Sequence, residues 1–167
     1  MLVIRPISEA DFDAVAAVNV RAWQTGYAGI VPQDFLDSLD PAVFVQRRRT
    51  QVARPGVQTL VADQDGRIVG HTTVGPDRDE DGPGELWSIY VDPGNWGNGA
   101  GRALLTAAKN ELAAAGFTEM RLWVLAANTS GRRFYERMGL RPDGATQYFT
   151  PRGTDVELPE LRYTTPL

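Results

Sequence analysis

Residues 94–101 read GNWGNGAG and stand between two segments of different period. Before them, Glu85 to Val91 (ELWSIYV) is an apolar, β-branched and aromatic run of strand type, closed by Asp92-Pro93. After them, Leu104, Leu105, Ala108, Leu112 and Ala115 recur on one face of a helix that Gly116 stops. A strand that becomes a helix across glycines 94, 97, 99 and 101 narrows the folds available. Glycine adopts positive φ and lets another group approach the main chain closely. The first N–H groups of a helix have no intrahelical acceptor and carry partial positive charge, so this turn suits a phosphate or diphosphate. That attraction is worth about 0.3–1 kcal/mol at an exposed site and about 2 kcal/mol when partly buried. The same glycines also fit a tight connection that binds nothing. Two phosphate motifs fail here. A P-loop ends in Gly-Lys-Ser/Thr, where this chain has Gly101-Arg102-Ala103. A dinucleotide fingerprint needs a third glycine where Arg102 stands, and its strand opens a βαβ unit instead of closing a hairpin system.

The rest of the chain supplies a sheet. Val3 to Ile7 reads as a first strand, and Ser8 to Asp11 has capping-box spacing. Phe12, Val15, Val18 and Ala22 follow at helical intervals to about Trp23, and Gly26 and Gly29 break that helix. Pro32 suits the first turn of a second helix, with Phe35, Leu36 and Leu39 inward. Asp40-Pro41 reads as cap and first residue of a helical stretch to about Arg49. Val57–Asp63 and Arg67–Val74 form a hairpin across Gln64-Asp65-Gly66, followed by an acidic, Pro- and Gly-rich solvated loop, 75–84. Beyond the glycine turn, Met120–Leu125 reads as a central, parallel strand. Asn128 or Thr129 caps a short helix with Phe134 and Met138 inward, ended by Gly139. Thr146–Thr150 and Val156–Thr164 read as the last strands. The order is β-α-α-β-β-β-α-β-α-β-β, an antiparallel meander followed by a parallel crossover. The expected fold class is α/β: a mixed sheet with helices on both faces, one domain over residues 1–167.

Composition excludes several chemistries. With no cysteine, disulfides, thiolate zinc sites and a Cys nucleophile are ruled out, and with one histidine no metal site is expected. The net charge of −4 argues against nucleic acid as a partner. No apolar run exceeds Leu122 to Ala127, and MLVIRPISEADFD lacks the pattern of a secretory signal, so neither a membrane partner nor export is expected and the location reads as cytoplasmic.

The segment ELWSIYVDPGNWGNGAGRALL closely resembles the acyl-CoA-binding segment of the GNAT superfamily of N-acetyltransferases. LWVLAANTSGRRFYERMGL resembles the strand–helix unit that follows it in that family, and the opening IRP, AW and downstream Tyr, Gly, Pro and Leu positions fit the same order. The resemblance spans nearly the whole chain. It implies transfer of an acyl group, usually acetyl, from acetyl-CoA to a primary amine by direct attack, with no metal. The main-chain donors of Gly97, Asn98, Gly99, Ala100, Gly101 and Arg102 are implied to hold the diphosphate, and the main chain of Ile89, Tyr90 and Val91 the pantetheine. One position departs: the family usually carries Gln or Arg where Trp96 stands, so a cationic contact to phosphate is missing and Trp96 is instead available to cover the helix end.

The reaction sets its own requirements. An amine with a pKa near about 10 must lose a proton before it attacks, and the departing thiolate benefits from receiving one. By resemblance, Tyr135 is the general acid and Asn128 binds the pantetheine arm, in the family pattern completed by Gly131. Glu85, six residues before Val91, matches the general-base glutamate of some members; it also reads as a solvated strand-end carboxylate. Trp23, Tyr27, Trp87 and Tyr148 lie where family members bind the acceptor, and core packing is the competing reading for each. Arg132 and Arg133 are placed to reach phosphate or to face solvent, Arg47-Arg48-Arg49 reads as a solvated helix face, and His71 as a packed residue. The acceptor is a small molecule or, alternatively, a protein or peptide amine. A tRNA acceptor conflicts with the acidic charge, and a non-catalytic CoA sensor with the presence of Tyr135 and Glu85. Family members often form dimers, so a homodimer is a further expectation.

Overall fold

The computed structural model describes all 167 residues. The chain runs β1 (Leu2–Pro6), a 3-10 turn at Glu9–Asp11, α1 (Phe12–Gly26), α2 (Gln33–Asp37), α3 (Pro41–Val52), β2 (Gln58–Gln64), β3 (Arg67–Pro76) and β4 (Gly84–Val91). After a 3-10 turn at Pro93–Asn95 come α4 (Ala100–Ala114), β5 (Glu119–Leu125), α5 (Thr129–Arg137), β6 (Arg141–Phe149) and β7 (Leu158–Pro166). Three helices separate β1 from β2, one more than the order β-α-α-β counts: Pro32 and Pro41 each start a helix, as read from the sequence, and the short α2 stands as an element of its own. The Ser8–Asp11 pair forms as expected: the Asp11 carboxylate accepts from the Ser8 N–H at 2.8 Å and also pairs with Arg5.

Side chains alternate across a strand, so neighbours Val61 and Ala62 of β2 face opposite ways. Val61 packs with Val15 of α1, and Ala62 with Leu104 of α4. Helices therefore cover both faces of one seven-stranded sheet, ordered β1-β2-β3-β4-β5-β7-β6. The main core lies under α4, where Leu105, Ala108 and Leu112 meet Leu86, Met120, Leu122 and Tyr163.

The β4–β5 contact positions the site. These strands are parallel, as expected, but they pair only at Gly84↔Met120 and Glu85↔Arg121. Just beyond, the register with β3 slips: Thr73 faces Ser88 while Val74 faces Leu86, which leaves Trp87 as an extra residue in β4. Such a bulge bends its strand. Past it β4 keeps its β3 partners, Thr72↔Ile89, His71↔Tyr90 and Gly70↔Val91, and has none in β5. The sheet splits there. No helix is long and apolar enough to cross a membrane.

Candidate active site

The split opens onto the glycine turn. Gly97 and Gly99 have φ of +81° and +88°, and Gly99 is the N-cap of α4. Left-handed backbone at both positions turns the chain so that the N–H groups of Gly97, Gly99, Ala100, Gly101 and Arg102 have no acceptor within the protein. The Asn98 N–H reaches Asn95 O at 3.4 Å. Buried Asp92 secures the turn by accepting from the Gly94 N–H and from Arg21 at 2.7 Å. Burial opposes its charge, yet Arg21 and the Gly94 N–H hold its carboxyl below the usual range. Trp96 is half exposed and donates its indole N–H to Val91 O at 2.9 Å. It thus ties the turn to the end of β4 and packs toward Gly26 of α1.

A cleft of about 480 Å³ runs from this turn into the sheet. The predicted residues Ile89, Tyr90, Val91, Gly97, Gly99, Gly101, Arg102, Asn128 and Tyr135 line it, whereas the side chains of Asn98 and Ala100 do not. Arg137 and Arg102 bring positive charge to the cleft. Arg132 and Arg133 do not: Arg132 bonds Tyr163 Oη and Ala126 O, and Arg133 points to solvent. Arg137, one turn on from Arg133, sits where the helix faces the cleft.

Asn128 caps α5, its Oδ1 accepting from the Gly131 N–H at 3.1 Å. Its Nδ2 remains free at the cleft. Gly131 is needed for this arrangement, since a Cβ there would lie 2.5 Å from Asn128 Nδ2. Tyr135, two turns along, lines the same cleft. Burial, then Tyr90, pushes its phenol well above the ordinary value, so it carries its proton at neutral pH.

A second chamber of about 340 Å³ lies beyond the split. It shares Tyr27, Ile89, Tyr90, Asn128 and Tyr135 with the cleft, so the two spaces meet at these residues. Trp23, Tyr27 and Trp87, expected on the acceptor side, line it. Tyr148 does not; it is 65% exposed, because Gln147 and Phe149 take the inward positions of β6 and the residue between them faces out. Glu85 lies outside both spaces. It is buried at the start of β4, where both carboxylate oxygens accept from Arg78, including the Arg78 N–H at 3.0 Å. Arg78 itself borders the chamber. The carboxylate that does line it is Glu160 of β7, which the sequence reading passed over.

Residues 20–140 match the family model described as Acetyltransferase (GNAT) family. The chain belongs to the GNAT family. With it, the chain belongs to the acyl-CoA-dependent acetyltransferases. An uncharacterized N-acetyltransferase of Bacillus subtilis is 34% identical over 132 residues, 78% of this chain and 75% of the relative. The PaiA N-acetyltransferase from Thermoplasma acidophilum, solved in complex with coenzyme A, superposes with a TM-score of 0.80 at 20% identity, covering 100% of this chain and 99% of that one. A ribosomal-protein-alanine N-acetyltransferase from Brucella melitensis superposes at 0.78 with 26% identity, covering 99% of each chain.

One polar cluster in this GNAT domain lies apart from the cleft. Arg48 does not face solvent with Arg47 and Arg49. It is 8% exposed because α3 packs against α1 and turns Arg48 inward, where it donates to Gln51, to Thr73 of β3 and to Thr59 of β2 and approaches His71 Nδ1. Burial without a carboxylate partner pushes its pKa down to about 10. His71 is fully buried, as expected, with Nε2 3.1 Å from Asn19 Oδ1. Burial, then Arg48, holds it neutral, so Nδ1 accepts from Arg48 and the Nε2–H donates to Asn19.

Proposed function

We propose that this chain transfers an acetyl group from acetyl-CoA to the primary amine of a small molecule by direct attack. The observation that carries this reading is the meeting of two chambers at Tyr135, Tyr90 and Asn128, one beginning at unpaired helix N–H groups and one walled by aromatic rings. The residues present fit acetyl-CoA. The N–H groups of Gly97, Gly99, Ala100, Gly101 and Arg102 match a diphosphate, helped by Arg102 and Arg137. The β4 edge from Ile89 to Val91, which has no partner in β5 and whose Val91 carbonyl already accepts from Trp96, matches the amides of pantetheine chiefly through Ile89 and Tyr90, and Asn128 Nδ2 adds a donor. Acetyl-CoA, when bound, supplies an activated thioester carbonyl. Tyr135 holds a proton at the junction and donates it toward the leaving sulfur. Glu85 positions Arg78 through its two-oxygen contact.

A small acceptor is favoured because the second chamber is compact, about 340 Å³, and walled by Trp123, Phe149 and Trp87. A peptide N-terminus is the second reading, supported by the likeness to the Brucella enzyme. Free-thiol release from acetyl-CoA, followed across amines, polyamines, amino acids and N-terminal peptides, tests both. A thermal shift with CoA alone tests the cleft. Stabilisation by CoA without thiol release on any acceptor would replace catalysis by a sensing role.

A further inference from the structure

Resting on that reading, we propose that Glu160 binds the acceptor's ammonium group and takes its proton, and that the chamber around it selects a compact amine with a single positive charge and an apolar or aromatic body. Glu160 sits on β7 opposite Leu125 of β5 and Gln147 of β6, and lines the chamber that meets the cleft at Tyr135. One carboxylate oxygen, Oε2, accepts from Gln147 Nε2 at 2.6 Å. The other, Oε1, accepts no hydrogen bond within the protein. The bond to Gln147 fixes the carboxylate's orientation and leaves one oxygen for a ligand.

The charges around the chamber point the same way. Arg78, Gln147 and the phenols of Tyr27, Tyr90 and Tyr135 line the chamber with Glu160. Arg78 is paired with Glu85, which lies outside the chamber, and Arg162, two residues along β7, is paired with Asp143 and Glu80. The three phenols are held neutral by burial. Glu160 therefore remains as the uncompensated charge, which matches one ammonium. A zwitterionic amino acid would need a second, free cation, and a polyamine would need a second carboxylate. The remaining wall is aromatic: the Trp23 ring lies 4.9 Å from Tyr27, 6.0 Å from Phe149 and 6.3 Å from Tyr90, centroid to centroid. Packed on one another in this way, the rings form a continuous apolar wall that suits an apolar body and a cation lying against it.

The proton step balances within the pair. The N–H bond of the ammonium breaks and an O–H bond forms at Oε1, so a cation and an anion become a neutral amine and a neutral acid. Burial, the largest influence, raises the Glu160 carboxyl, and Gln147 and Arg78 oppose it, which brings its basicity nearer that of an amine than a solvated carboxylate's.

The test uses the full chain with acetyl-CoA and 2-phenylethylamine, L-phenylalanine and spermidine as probes. Wild type is expected to show kcat/KM for 2-phenylethylamine at least 10-fold above either other probe. Glu160→Gln keeps the Gln147 contact and is expected to lower that kcat/KM about 100-fold. It is also expected to abolish the acidic limb of its pH profile, with the KM for acetyl-CoA and the thermal shift by CoA unchanged. Glu160→Asp is expected to restore the acidic limb. Preference for L-phenylalanine or spermidine would overturn the selectivity. An unchanged pH profile in Glu160→Gln would overturn the proton role. Loss of the CoA thermal shift in wild type would instead overturn the acetyltransferase reading beneath both.

Discussion

Gly131→Ala separates the stability of α5 from the function of Asn128. The new Cβ would lie 2.5 Å from Asn128 Nδ2, 2.9 Å from its Cγ and 3.1 Å from its Oδ1, so the Asn128 side chain must leave its place. Its departure breaks the cap to the residue-131 N–H, now 3.1 Å long, at a cost of about 0.5–2 kcal/mol. Alanine in place of glycine within a helix returns about 0.8–1 kcal/mol. The two terms nearly cancel, leaving stability within about 1 kcal/mol of wild type, or about 2–4 °C in Tm for a chain of this size. Binding does not cancel. Asn128 Nδ2 is the donor released to the cleft, and one neutral hydrogen bond is worth about 0.5–1.5 kcal/mol, so the Kd for CoA should rise about 2- to 12-fold. Calorimetric unfolding and CoA titration measure the two quantities on one sample. An unchanged CoA affinity would refute the role of Asn128 at the cleft. A loss of more than about 3 kcal/mol would refute the cancellation itself.

Three further outcomes follow from the same geometry. Tyr135→Phe should lower kcat by about 100-fold or more while melting within about 1 kcal/mol of wild type, because the hydroxyl makes no bond within the protein; equal turnover numbers would remove the acid role. Gly99→Ala meets no atom within 4 Å, so its effect is the strain of a side chain at φ +88°, about 1–2 kcal/mol, read as a lower melting temperature and weaker CoA binding; wild-type values for both would show that the turn tolerates another conformation. His71 is held neutral in the fold and charges freely once unfolded, so the unfolded state binds the extra proton. Stability should therefore fall as pH drops below about 6.5, by up to about 1.4 kcal/mol per unit, and His71→Gln should flatten that slope; the same slope in the variant would place its origin elsewhere.

Much of the site is legible from local pattern. The glycine turn announces itself because positive φ at 97 and 99 and a helix start at Ala100 are local requirements with local residue signatures. Asn128, Gly131 and Tyr135 belong to one helix, so their spacing places them together without knowledge of the sheet. Tyr148 misleads for the opposite reason. Its match to family acceptor positions places it near the second chamber, but a one-residue difference in facing decides the matter, and only pairing of Gln147 with Glu160 shows which residues look inward. Arg48 is similar: a run of three arginines reads as solvated until α3 is packed on α1 with Arg48 directed at Thr59 and Thr73.

The sequence by itself determined most of the elements, the mixed sheet and the glycine turn, since these rest on periodicity, capping and backbone freedom acting over a few residues; the acyl-CoA role of the turn came from the family resemblance. Only the tertiary structure decided the acceptor side. Glu160 reaches the second chamber because the chain returns so that β7 lies between β5 and β6, and the chamber exists because β4 bulges at Trp87 and leaves β5 after two residue pairs. Arg78 takes Glu85 out of reach by folding back from the preceding loop. Which carboxylate stays free is a property of partners brought together by the fold, and no local signal carries it.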